Sequence, residues 1–171
     1  MEIGEQIESP TLGLILTWRE VGTEVLAFDM TMRAGAPAIP MHVHPQQEER
    51  ITVISGTVRS RSGGHERLLT AGEFVVTPPG EAHTIEPAAG ADAEVRGELR
   101  PALAYGQFIE RSFALDRAGH VNARGRANPL RMAATGVADA EFFLTGPPVA
   151  VQKPLLRLLA WLGRRLGYDN S

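Results

Sequence analysis

Cysteine is absent from the 171 residues. That excludes a disulfide framework, a thiolate zinc finger, an iron–sulfur cluster and a cysteine nucleophile. It leaves the compartment open. Aromatic residues are scarce at 6%, and arginine outnumbers lysine sixteen to one, Lys153 standing alone. No apolar run reaches the roughly 18 residues of a transmembrane helix. The opening Met1-Glu2-Ile3-Gly4-Glu5 lacks a basic region leading into an apolar run. No signal peptide is therefore expected, and the cytoplasm is the expected location. The formal net charge is −3 with a pI near 6.0, so the basic footprint of a nucleic-acid binder is missing. Neither a P-loop nor a dinucleotide-binding glycine fingerprint occurs.

What is present suits a folded chain. Hydrophobic residues make up 43% and charged residues 22%, a globular composition. The length fits one domain, or one domain with an appendage. Eighteen glycines and 12 prolines imply many turns, as in an all-β core. Charge is divided unevenly. Residues 1–101 carry 8 arginines against 15 acidic residues, and residues 102–171 carry 9 basic against 5 acidic. The hydrophobic pattern changes at the same place. A β-rich unit is expected over 1–101 and a helical extension over 102–171, packed on that unit or on a dimer partner.

In the first part, Leu26 to Arg33 alternates apolar and polar residues, as a half-buried strand does. Ile51 to Ile54 reads as a second strand ending at Ser55-Gly56. Thr57 to Arg61 continues as a hairpin arm into Ser62-Gly63-Gly64. Phe74 to Thr77 is a third strand, stopped by Pro78-Pro79-Gly80. Ala93 to Arg100 is a fourth, with Glu94, Arg96 and Glu98 on one face. Short strands separated by such turns predict a sandwich or small barrel. Phe28, Met30, Met32, Ile51, Val53, Phe74 and Val76 are its core or the walls of a pocket. Parity does not separate the two, and core is the simpler reading.

In the second part, Tyr105, Phe108, Ile109 and Phe113 fall at helical spacing, and Pro129 to Thr135 suggests a short helix. From Val149 to Leu166, the residues Leu155, Leu158, Leu159, Leu162 and Leu166 share one face. Pro154 fits its first turn. Leucines opposite Lys153, Arg157 and Arg164 resemble an interfacial helix. Four basic residues in eighteen is a modest charge, so packing on protein is expected rather than a membrane.

The chemistry concentrates on four residues. On a strand, His42 and His44 at i and i+2 point to one face. Glu49 lies an odd number of residues beyond His44, but Pro45-Gln46-Gln47 can break the strand and reset parity. Glu49 then shares a face with Ile51 and Val53 while Glu48 turns away. Gln47 is a turn residue or orients a ligand. His83 follows the Pro78-Pro79-Gly80 turn. His65, in a glycine turn, and His120, in a polar loop, receive no role.

Together, Gly35 is followed by His42-x-His44-x(4)-Glu49-x(6)-Gly56, and then by Gly72-x(5)-Pro78-x-Gly80-x(2)-His83. This resembles both sequence motifs of the cupin superfamily, over about residues 25–100. It departs from them by one extra residue before His42 and by Pro87 where the second motif often has Asn. The short inter-motif stretch Thr57–Ala71 is similar to compact bacterial cupins. The phrase His44-Pro45-Gln46-Gln47-Glu48-Glu49-Arg50, the later Arg100-Pro101-Ala102 and the tail Leu162-Gly163-Arg164-Arg165-Leu166-Gly167-Tyr168 resemble a single-domain bacterial subgroup.

The resemblance implies a mainly β protein, an antiparallel β-barrel or jelly roll with a C-terminal α-helical appendage. It implies one divalent metal on His42, His44, Glu49 and His83, and often a homodimer. Three imidazoles and a carboxylate suit Fe, Mn, Ni, Cu or Zn. The reaction stays open, because fold does not imply function. One reading is a metal-dependent enzyme that polarises a small organic ligand, in particular a dioxygenase-like cleavage of a phenolic or enolic compound. A metal-dependent isomerase and a non-catalytic small-molecule sensor are the alternatives.

Overall fold

The computed structural model of the chain describes residues 1–35, 37–88 and 90–168. The elements run β1 (Gln6–Ser9), β2 (Leu14–Val21), β3 (Leu26–Met32), β4 (His42–Val43), β5 (Glu48–Ser55), β6 (Thr57–Ser62), β7 (His65–Thr70), β8 (Phe74–Thr77), β9 (His83–Pro87) and β10 (Ala93–Arg100). Then come α1 (Tyr105–Arg117), α2 (Pro129–Ala134), β11 (Phe143–Leu144) and α3 (Val149–Arg165). Two antiparallel sheets form, in the orders β1-β2-β3-β10-β5-β8 and β11-β4-β9-β6-β7. Both contribute to one hydrophobic core: Leu16, Trp18, Phe28 and Val95 from the first, Val58, Leu69 and Ile85 from the second. The fold is mainly β, a jelly roll with a helical C-terminal part.

β10 shows why these residues make a sheet. Ala93, Val95, Gly97 and Leu99 are buried and alternate with more exposed Glu94, Arg96, Glu98 and Arg100, the period of a strand with one face on the core. It pairs with β3 and β5, opposing Gly97 to Phe28 and to Ile51. Only glycine fits there, because a Cβ would come within 2.5 Å of the Phe28 ring. Across the outer face, Asp29 accepts hydrogen bonds from Arg19 (2.6 Å) and Arg96 (2.7 Å), tying β2, β3 and β10 together. At the end of β5, Gly56 turns with φ +78°, and a side chain would collide with the Asp92 carbonyl at 2.6 Å.

The part after residue 101 is locked to the sheets. Gln47 is buried, and its amide donates to the Pro101 and Ala102 carbonyls at 3.0 and 3.1 Å. It is thus a clamp at the junction. Asp116, at the end of α1, accepts from the Ser9 hydroxyl and from the Thr11 hydroxyl (2.6 Å) and amide (3.0 Å). Asn128 caps α2 by accepting from the Leu130 amide at 2.9 Å, with Pro129 at the first position. β11 extends the second sheet beside β4, so this part contributes a strand as well as helices.

α3 departs from expectation in two ways. It begins at Val149, so Pro154 sits in its second turn rather than its first. The leucine stripe does not turn inward: Leu155, Leu158, Leu162 and Leu166 are exposed and Leu159 is half-buried. The buried residues of α3 are Ala160 and Gly163. Small residues let the α3 backbone approach α2 closely, and a Cβ on Gly163 would lie 2.6 Å from the Leu130 carbonyl. Close approach, not hydrophobicity, selects the buried face. Among the described residues, no helix is long and apolar enough to cross a membrane.

Candidate metal centre

Three elements deliver the four motif side chains. β4 pairs with β9 so that His42 stands directly opposite His83, and directly opposed residues share a face. Their rings are 4.3 Å apart. His44 follows the end of β4, and its ring is 4.9 Å from that of His42. In β5, Glu49 is buried with Ile51 and Val53 while Glu48 is exposed. Parity is therefore reset by the Pro45-Gln46-Gln47 break. The ligand atoms of His42, His44, Glu49 and His83 all lie within 4.8 Å of one another, and all four residues are buried.

The second ring nitrogens fix the tautomers. Nδ1 of His42 donates to the Pro40 carbonyl (2.8 Å), Nδ1 of His44 to the Glu141 carbonyl (3.1 Å) and Nδ1 of His83 to the Glu81 carbonyl (2.9 Å). A carbonyl can only accept, so each Nδ1 carries hydrogen and each Nε2 is left to face the cluster. This is how ligating imidazoles are usually held. His44 Nε2 is buried without a hydrogen-bond partner. His83 Nε2 lies 2.6 Å from a Glu49 carboxylate oxygen.

The electrostatics match a cation site. Burial pushes the His42 imidazole down to about 3, with the His83 charge adding to the effect. Burial also lowers His44, so both stay neutral with lone pairs free. Burial alone would raise Glu49, but the hydrogen bond and charge of His83 overcome it and hold the carboxyl at about 2. His83 is raised: burial opposes its charge, and the Glu49 carboxylate outweighs burial. A metal fits this set. Its four ligand atoms are buried and lie within 4.8 Å of one another, and His44 Nε2 has no other partner.

Residues beyond the motifs complete the site. Phe142 stacks on His42 at 4.5 Å and 25°. Glu141, at φ +56°, supplies the carbonyl that orients His44, and its buried carboxylate pairs with Lys153 of α3. Tyr105 at the start of α1 sits 5.2 Å from the His44 ring. Burial and the nearby Glu49 charge push its phenol up, so it stays protonated. Tyr105 carries a helical-period signal in the sequence. Glu141 acts through its backbone, which no residue type announces. The predicted wall residues divide. Phe28, Met30, Met32, Ile51 and Val53 are core, Phe28 and Met30 also line the cavity beside the cluster, and Phe74 and Val76 are exposed. His65 and His120 are exposed.

The cupin domain family matches residues 28–96, the segment that contains all four side chains. No curated protein matches the chain. Among solved structures, an RmlC-like cupin from Shewanella frigidimarina is 21% identical with a TM-score of 0.53, over 58% of this chain and 85% of that one. A predicted oxalate decarboxylase from Thermotoga maritima is 21% identical with a TM-score of 0.50, over 57% and 90%. An uncharacterised double-stranded β-helix protein from Klebsiella pneumoniae is 20% identical with a TM-score of 0.50, over 59% and 88%. At these identities the neighbours speak to the fold alone, and all three cover little more than half of this chain. The chain thus carries a cupin domain over residues 28–96, and the two-sheet architecture agrees with it.

Proposed function

We propose that the protein is a metal-dependent cupin that binds one divalent transition ion on His42, His44, Glu49 and His83. In this reading it acts on an organic molecule that coordinates through oxygen. The observation that carries the reading is the convergence of three imidazole Nε2 atoms and one carboxylate at the buried end of a cavity. A bound ion would supply Lewis acidity toward oxygen donors and, if redox-active, access to oxidative chemistry. The chain's own residues do the rest. The Pro40, Glu141 and Glu81 carbonyls hold the three rings in the ligating tautomer. Phe142 covers one face of His42 and excludes water from it. Tyr105 offers a neutral hydroxyl as hydrogen-bond donor to a ligand beside His44.

Within this reading, dioxygenase-like cleavage of a phenolic or enolic compound is the version to test first. Three His and one carboxylate suit Fe, Mn, Ni and Cu as well as Zn. The test is oxygen consumption by the iron-, manganese-, nickel- or copper-loaded protein against a panel of phenols and enols. Turnover that disappears in His83→Ala supports the reading. Binding without consumption under every metal removes the oxygenase version and leaves an isomerase or a sensor.

A further inference from the structure

The metal cluster opens into a cavity of about 670 Å³. At about 30 Å³ per water-sized atom, that is room for at least about twenty non-hydrogen atoms. One wall comes from the sheets, through Leu16, Phe28 and Met30. The other comes from the part after residue 101, through Phe108 on α1, Met132 on α2 and Leu156 on α3. A jelly roll without that part would leave the first wall facing water. The helices thus build a long apolar chamber onto the cluster.

The polar groups on the chamber wall narrow the choice of ligand. Ser9 donates to Asp116, which also accepts from Thr11. Ser112 donates to the Ile109 carbonyl at 3.0 Å. Gln152 donates to the Leu144 and Pro147 carbonyls at 2.9 and 2.6 Å. Arg124 and Arg126 also line the chamber but are solvent-exposed, so they mark where it meets water. Between that rim and the cluster, the wall's polar side chains are already engaged, and Tyr105 stands beside the cluster itself. A polar ligand body would be desolvated there without compensation.

Resting on the proposed function, we infer that the ligand is an elongated amphiphile, with an oxygen-donor head at the four-residue cluster and an apolar body of ten or so carbons in the helix-roofed chamber. The substrate class is thus a long-chain or extended hydrophobic molecule rather than a small polar acid or sugar.

A chain-length series tests this. n-Alkyl hydroxamates from four to sixteen carbons, whose head chelates divalent metal, are titrated calorimetrically into the full-length zinc-loaded protein. Affinity is expected to rise by up to about fourfold per added methylene and to level off once the chamber is filled. Ser112→Phe, which projects a ring into the chamber, is expected to move that plateau to shorter chains at unchanged zinc content. An affinity independent of chain length overturns the inference, as does a plateau that Ser112→Phe leaves in place. The same series on chelator-stripped protein separates this claim from the metal site. A methylene increment that survives stripping while the head's contribution falls supports both. An increment with no effect of zinc at all keeps the chamber and removes the anchoring head. A large effect of zinc with no increment keeps the metal site and removes the chamber.

Discussion

Each of the three histidines proposed as ligands uses its second nitrogen on a backbone carbonyl, and those carbonyls come from Pro40, Glu81 and Glu141. His42 and His83 are oriented by the residue two positions before each of them. His44 is oriented from 97 residues away. Replacing His83 by Ala removes one of the four proposed ligands and leaves the Glu49 carboxylate without its 2.6 Å neighbour. Metal content measured after dialysis is expected to fall sharply, and an unchanged stoichiometry would sink the ligand assignment. Tyr105→Phe is expected to leave metal content intact. It is also expected to weaken a chelating ligand by about 2- to 13-fold, the worth of one hydrogen bond, read by titration. Asp116 gives a pH prediction. Burial would raise its pKa, but the bonds from Ser9 and Thr11 dominate and lower it. A carboxyl with a depressed folded pKa contributes stability that is present above the unfolded value of about 3.9 and is lost as pH falls through the folded value. Asp116→Asn is therefore expected to lower the melting temperature at neutral pH and to flatten the acid limb below about pH 4. An acid limb as steep as in the unaltered protein contradicts this.

At the scale of elements, α3 bears on the candidate ligands through one side chain. Lys153 pairs with the buried Glu141 carboxylate, and the Glu141 backbone holds His44. Lys153→Met strands a buried charge and is expected to cost up to about 3 kcal/mol. Adding Glu141→Gln should restore much of that loss. Thermal unfolding of both variants and the unaltered protein measures it, and a Lys153→Met protein that melts with the unaltered one would mean the pair contributes nothing. Gly163→Ala gains helix propensity, about 1 kcal/mol. It also drives a methyl toward the Leu130 carbonyl at 2.6 Å, so net destabilisation is expected.

The same helix shows what a sequence conveys and what it does not. Its existence and its leucine stripe follow from period alone. Which face is buried depends on Gly163 and Ala160 meeting α2, a property of two helices and not of one. β2 passes unnoticed because Ile15, apolar on the half-buried side, blurs the alternation of Leu14, Leu16 and Trp18. β4 is two residues long and β7 is nearly all exposed, so neither leaves a periodic trace. The strand at Ala93–Arg100 is legible end to end because its two faces differ in every residue. His42, His44, Glu49 and His83 are legible as a set because their spacing resembles the two cupin motifs, whereas the i, i+2 pair alone says only that two imidazoles share a face. Glu141 is not, because a carbonyl has no residue identity.

At the scale of the whole molecule, the sheets supply the four-residue cluster, and the part after residue 101 supplies the roof, the carbonyl behind His44 and the tyrosine beside it. The two parts are opposite in charge balance, yet they share one core and one cavity. Site and extension therefore stand or fall together: removing residues 149–171 takes away the Lys153 latch and the Leu156 wall. It is expected to lower both the melting temperature and the metal affinity, whereas a truncation as stable and as metal-avid as the full chain would contradict the shared architecture. The most direct test of the central claim is the metal content of the untagged full-length protein, measured by elemental mass spectrometry as purified and after reconstitution. The account predicts near one divalent transition ion per chain, held on His42, His44, Glu49 and His83. A protein that stays folded and takes up no such ion under either condition would contradict it.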